Sequence, residues 1–140
     1  MRIPFENADT DTERGAVIAG VHSAVERYFD LMYDCDVSRF DEVFHPTAQL
    51  HGVIDGAMTV WPAPVYRDIL SSRMAPRKVN APREDEILLL DTASSHQAMA
   101  KVRVRIHERV FVDHLCLLQI DGAWRITSKT FHLESNGVTA

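Results

Sequence analysis

The sequence predicts an α+β fold in which three helices pack against one face of a curved antiparallel sheet. Three observations lead there. Apolar side chains recur at helical spacing from Val17 to Met32. The period then falls to two, most plainly in "QAMAKVRVRIHE", where Lys101, Arg103, Arg105 and His107 alternate with Val102, Val104 and Ile106. Asp121-Gly122 lies between two apolar runs as a hairpin turn. Helices thus come first, with one strand among them, and at least four antiparallel strands follow. A long amphipathic helix needs a broad apolar partner, and a sheet supplies it.

Each element has a local reason. Thr10-Asp11-Thr12-Glu13 fits a capping box, with Thr10 as the N-cap. The stripe Val17, Ile18, Val21, Ala24, Val25, Tyr28, Leu31 and Met32 carries the first helix to about Tyr33, where "DCDV" breaks it. Ser38 can cap a short second helix, stopped by Pro46. "TAQLHGVI" reads as a strand ended by Asp55-Gly56. Pro64 suits the first turn of a third helix, Val65 to Arg73, and "MAPRKVNAP" reads as a loop. "DEILLLD", "QAMAKVRVRIHE", "VFVDHLCLLQI" and "WRITSKTFHL" are the remaining strands.

Composition bounds the function. The chain has 140 residues, 46% hydrophobic and 25% charged, with a formal net charge of -5, which suits one globular domain. A nucleic-acid partner would call for a basic surface, so none is expected. No apolar run reaches membrane-spanning length, and "MRIPFENADTDTERG" has no apolar core of a signal peptide. Cys35 and Cys116 stand far apart without a CxxC, as expected of free thiols in a cytoplasmic protein. No HExxH, CxxC or close ligand pair is present, so neither metal nor cofactor is expected. Glycine-rich phosphate loops and a nucleophile elbow are missing too. The row Lys101, Arg103, Arg105 reads as a solvated outer face, or a dimer face paired with Glu84 and Glu86.

Two stretches, "AVERYFDLMYDCDVSRFDEVFHPTAQLHG" and "LLQIDGAWRITSKTF", resemble the nuclear transport factor 2-like superfamily. The form "FHPTAQLHG" is most similar to its putative lumazine-binding branch, with SnoaL-like and ketosteroid-isomerase-like branches also similar. The resemblance implies a cone-shaped sheet around an apolar cavity. It spans residues 11–134, leaving 1–10 as a flexible arm and 135–140 as a tail. It also implies a homodimer through the outer sheet face. Phe111, Leu115, Leu117 and Phe131 add to that expectation, as more apolar bulk than one cavity takes.

The ketosteroid-isomerase branch uses a tyrosine and a protonated aspartic acid as an oxyanion hole and a second aspartate as proton shuttle. The resemblance places Tyr28 and Asp113 at the oxyanion-hole positions and Gly52 where the shuttle belongs, so steroid-type isomerisation is expected to be absent or slow. His132 is the candidate acid or base, giving a catalytic set of Tyr28, Asp113 and His132. The expected ligand-binding set is Tyr28, His51, Tyr66, Ser128 and Thr130, facing a small apolar or aromatic molecule. His45 is expected to hold the helix-to-strand corner. Two hairpin registers stay open. A two-residue turn at Asp121-Gly122 pairs Asp113 with Thr130 and His132 with Phe111, so that Asp113, Ser128, Thr130 and His132 share a face. A three-residue loop sets Asp113 opposite Lys129 and moves His114 and Cys116 to the face of Ser128 and Thr130. Three functions remain: a small-molecule binder, a lyase or isomerase working by acid–base chemistry, and a non-catalytic dimerisation module whose own side chains fill the cone.

Overall fold

The computed structural model of the protein describes residues 10–137. The expected flexible arm at 1–10 lies outside them except for Thr10, as does the tail beyond 137. Helix α1 spans Asp11–Asp34. Its capping box forms: the Glu13 amide donates to the Thr10 hydroxyl, and Glu13 Oε2 accepts the Thr10 amide, both at 3.1 Å. Cys35 ends the helix in the left-handed region, at φ 50°. The buried stripe begins at Val21, one turn later than the spacing suggested, because Ile18 faces solvent. A 3-10 turn at Val37–Arg39 and the short α2, Phe40–Val43, follow. Asp36, not Ser38, caps this segment, accepting the Ser38 amide at 3.1 Å and its hydroxyl at 2.6 Å.

Strands β1, Phe44–Ile54, and β2, Ala57–Pro62, form a hairpin about Asp55 and Gly56, both at positive φ. Helix α3, Ala63–Ser72, carries proline in its first turn as expected. Strands β3, Asp85–Thr92, β4, Gln97–Ile106, β5, Arg109–Ile120, and β6, Ala123–Ser135, complete one six-stranded sheet in the order β2-β1-β6-β5-β4-β3. All neighbours are antiparallel except β1 and β6, which run parallel. The sheet is curved and mostly antiparallel, with the helices on its inward face.

That face carries Leu50 on β1, Ala100, Val102 and Val104 on β4, Leu115 and Leu117 on β5, and Ile126 on β6, all buried against α1 and α3. Phe111 and Phe131 pack on the same cluster. Phe111, Leu115, Leu117 and Phe131 therefore all point inward, and none supplies a second apolar face for a dimer. The cationic row lies outward, and its arginines are paired within the chain: Arg103 binds Glu86 and Glu134, and Arg105 binds Glu84.

The β5–β6 register follows neither alternative read from the sequence. Asp121-Gly122 is a two-residue turn, and Ile120 pairs with Ala123 through to Leu117 with Ile126. A bulge at Thr127 then shifts the ladder by one, so that Cys116 meets Ser128, His114 meets Thr130 and Asp113 meets Phe131. One extra residue exchanges the faces of everything beyond it. Lys129 turns inward, while Ser128, Thr130 and His132 turn outward with His114 and Cys116.

Candidate functional site

Four side chains from four elements meet beneath the sheet. Tyr28 comes from the middle of α1, Tyr66 from the buried side of α3, Asp113 from β5 and Lys129 from β6. Asp113 and Lys129 are 1% and 5% exposed, and they are the buried charged residues of the described chain. The Tyr28 hydroxyl donates to Asp113 Oδ2 at 2.5 Å. Lys129 Nζ donates to the Tyr66 hydroxyl at 3.1 Å and lies 3.8 Å from Asp113 Oδ2. It also sits over the rings of Tyr28 and Tyr66, 5.0 Å and 4.8 Å from their centroids. Asp113 Oδ1 is buried and has no hydrogen-bond partner among the described residues.

Tyr66, Asp113 and Lys129 of this cluster line a cavity of about 270 Å³. Leu50, Trp61, Phe111, Phe131 and Leu133 are among its apolar walls, and Tyr66, Asp113, Lys129, Arg73, Arg109 and the exposed Asp55 are its polar features. Arg73 Nη1 is also buried without a partner among the described residues. Arg73, Ile106, Arg109 and Phe111 also line a wider surface groove of about 930 Å³, which adjoins the cavity. Apolar walls with a few convergent polar groups suit a small organic ligand.

The structure divides the expected site residues. Asp113 and Tyr66 line the cavity. Tyr28 stands behind Asp113, wholly buried, and holds its carboxylate instead of forming the wall. His51 pairs with Thr130 on the outward parity of β1, while its neighbours Leu50 and Gly52 are buried. Ser128, Thr130 and His132 leave with it, by the bulge at Thr127, so no histidine belongs to the cluster. His45 holds the corner: its Nδ1 lies 2.8 Å from the Thr47 hydroxyl. Lys129 reads from the sequence as a partner of Asp113 in one register but not as a buried cavity residue, because plain alternation from Ile126 turns it outward. Among the described residues no three His, Cys, Asp or Glu side chains gather as metal ligands.

Position 52 offers no place for a base. A Cβ there would come within 2.2 Å of the Phe131 ring. That ring stacks on Trp61 at 5.1 Å, and Trp61 stacks on Tyr66 at 6.1 Å. Glycine is what lets this aromatic ladder lie against β1.

Burial, and then the Asp113 carboxylate, push the Tyr28 phenol well above its ordinary value of 10.0. The fold holds the neutral hydroxyl. Its contribution to stability is complete below the ordinary value and is lost as pH rises through and beyond it. Tyr28→Phe should cost about 1.5–3 kcal/mol at neutral pH, since the lost bond is to a charged acceptor. It should also flatten the alkaline loss of stability, read by urea unfolding at several pH values. A stability curve unchanged by the substitution at every pH would contradict the hydrogen bond.

The family described as Putative lumazine-binding matches residues 16–132 of this chain. The chain is 30% identical over 125 residues to "Aldolase FrzH" of Cladobotryum sp, covering 88% of this chain and 93% of that one. Among solved structures, an NTF-2 like protein of unknown function from Silicibacter pomeroyi DSS-3 superposes with TM-score 0.73 at 20% identity, covering 86% of this chain and 98% of that chain. A ketosteroid isomerase-like protein from Erwinia carotovora atroseptica SCRI1043 superposes with TM-score 0.63 at 12% identity, covering 84% and 95% respectively. By the extent of the family match and by its fold, the chain belongs to the Putative lumazine-binding family of the nuclear transport factor 2-like superfamily.

Proposed function

We propose that the protein is an enzyme that binds a small aromatic or apolar carbonyl compound and makes or breaks a carbon–carbon bond beside the carbonyl. The observation that carries this reading is the buried Asp113 carboxylate, one oxygen unpartnered and the other 3.8 Å from the Lys129 ammonium, on the wall of a largely apolar cavity. Aldol chemistry needs a proton carrier and a positive group where negative charge develops. In cleavage of a β-hydroxy ketone, Asp113 Oδ1 takes the hydroxyl proton. The carbon–carbon bond breaks, and its electron pair moves toward the carbonyl oxygen held by Lys129 and Tyr66. The relative named an aldolase supports this reaction class. Histidine has no part in it, and double-bond isomerisation, which needs a base near position 52, is not favoured.

The test uses 4-hydroxy-4-phenylbutan-2-one, which cleaves to benzaldehyde and acetone. Binding to the folded state alone should raise the melting temperature, since ligand at 100 times its dissociation constant stabilises by about 2.7 kcal/mol. Product release should be visible by proton NMR and absent in Asp113→Asn. Neither stabilisation nor cleavage, with this compound and a panel of aryl β-hydroxy ketones, would remove the reading.

Two further expectations belong to the proposal. The chain pairs with a second copy through the outer sheet face, where the partly covered Met99 and Leu118 lie beside Cys116. Light scattering at micromolar concentration should give the dimer mass, and a monomer mass throughout would count against it. The free Cys35 and Cys116 suit a reducing, cytoplasmic setting. No helix of the described residues is long and apolar enough to cross a membrane.

A further inference from the structure

We propose that Lys129 is a covalent attachment point, forming an imine with the carbonyl carbon of the ligand. The inference rests on the carbonyl-compound reading above. Lysines elsewhere in the chain are Lys78, exposed, and Lys101, half-buried on the outer face, so Lys129 alone has its amine within the cavity. Its contacts leave it under-coordinated. One N–H goes to Tyr66 at 3.1 Å, the Met32 sulfur lies at 3.9 Å, and the nearest carboxylate oxygen, at 3.8 Å, is beyond direct hydrogen-bond reach. Of the polar groups around it, Tyr28 is committed to Asp113, and Asp113 keeps a free oxygen.

A lysine amine forms a Schiff base with a carbonyl compound once a base has taken the ammonium proton. Asp113 is the acceptor at hand. Proton transfer from the ammonium to the carboxylate turns a buried ion pair into a neutral amine and a neutral acid.

The step then balances. The amine lone pair forms a nitrogen–carbon bond to the carbonyl, and the π pair moves to oxygen. Transfer of a proton from nitrogen to that oxygen gives a neutral carbinolamine. Its nitrogen lone pair expels the hydroxyl group, which leaves as water with the proton returned by Asp113. The net change is a carbonyl and an ammonium going to a protonated imine and water, with Asp113 again a carboxylate. The protonated imine is a stronger electron sink than the ketone. When the β-hydroxyl proton passes to Asp113, the carbon–carbon bond cleaves to an aldehyde and a lysine-bound enamine. Protonation on carbon and addition of water then release the ketone and the free amine. Tyr66 holds Nζ beside the aromatic ladder, where an aryl group can lie.

Benzoylacetone, an aromatic 1,3-diketone, is the probe. A free amine condenses with it, losing water, to a stable conjugated enaminone that absorbs in the near ultraviolet. The native chain should gain one diketone less one water, and peptide mapping should place the adduct on Lys129. Lys129→Arg, which keeps the charge, should lose the chromophore while retaining its circular dichroism. No adduct on the native chain, or adduct spread evenly over Lys78, Lys101 and Lys129, would overturn the proposal. Cleavage of 4-hydroxy-4-phenylbutan-2-one without any adduct would also overturn it and leave the function standing. Adduct at Lys129 without cleavage would support the attachment and count against the reaction class.

Discussion

Asp113→Ala is expected to be the most damaging single change in the chain. It should cost about 3–5 kcal/mol, because removing one partner of a buried charge pair leaves the other uncompensated. The Lys129 ammonium would lose its carboxylate, and the Tyr28 hydroxyl would lose the acceptor it holds at 2.5 Å. Turnover should vanish with the carboxylate. A double substitution separates the two effects. Asp113→Leu with Lys129→Met replaces the pair by apolar groups of similar volume, and such replacements are often neutral or stabilising. Urea unfolding should therefore find the single variant far weaker than the double, with both inactive. Equal stability of native and Asp113→Ala would mean that the buried pair does not exist.

Gly52→Asp is expected to fail in a way the sequence alone does not suggest. The family resemblance places a base at this position, so the substitution looks like a restoration. In the structure the new Cβ would strike the Phe131 ring at 2.2 Å. The ring cannot swing freely, since Trp61 is stacked on its face. Overpacking of this kind costs about 1–3 kcal/mol, and a carboxylate pressed against aromatic walls adds its own desolvation. A lower melting temperature and no gain of isomerase activity are expected. Adding Phe131→Ala should recover part of the stability by making room. A stable, isomerase-active Gly52→Asp would show that the aromatic ladder is not as described.

What could be read from the sequence depended on whether a pattern was continuous. The stripe from Val21 to Met32 is unbroken, and it marked out α1 nearly to the residue. Asp121-Gly122 marked its turn correctly. Strand β2 was missed, because "AMTVWP" is an exposed edge with no buried alternation to reveal it. The site was half legible. Tyr28 and Asp113 came from the family resemblance, and they do meet. Lys129 and the outward turn of Ser128, Thr130 and His132 depend on the bulge at Thr127. A signal for that bulge was present: the apolar residues of the last strand change phase, from Trp124 and Ile126 to Phe131 and Leu133. Strict alternation would set the two pairs on opposite faces, and the extra residue brings Phe131 and Leu133 to the cavity wall instead. His51 is suggested by its strand, which borders the cavity, but alternation sets it on the face opposite Gly52.

The cavity, not the outer face or the adjoining groove, is expected to receive the ligand's reacting carbonyl at Lys129 and Asp113. The most direct measurement is a crystal structure of Asp113→Asn soaked with 4-hydroxy-4-phenylbutan-2-one. The aryl ring should lie in the aromatic ladder of Phe131 and Trp61, the carbonyl carbon within reach of Lys129 Nζ, and the hydroxyl toward residue 113. A ligand bound on the outer face beside His132 and Thr130, with the cavity filled by its own side chains, would contradict it.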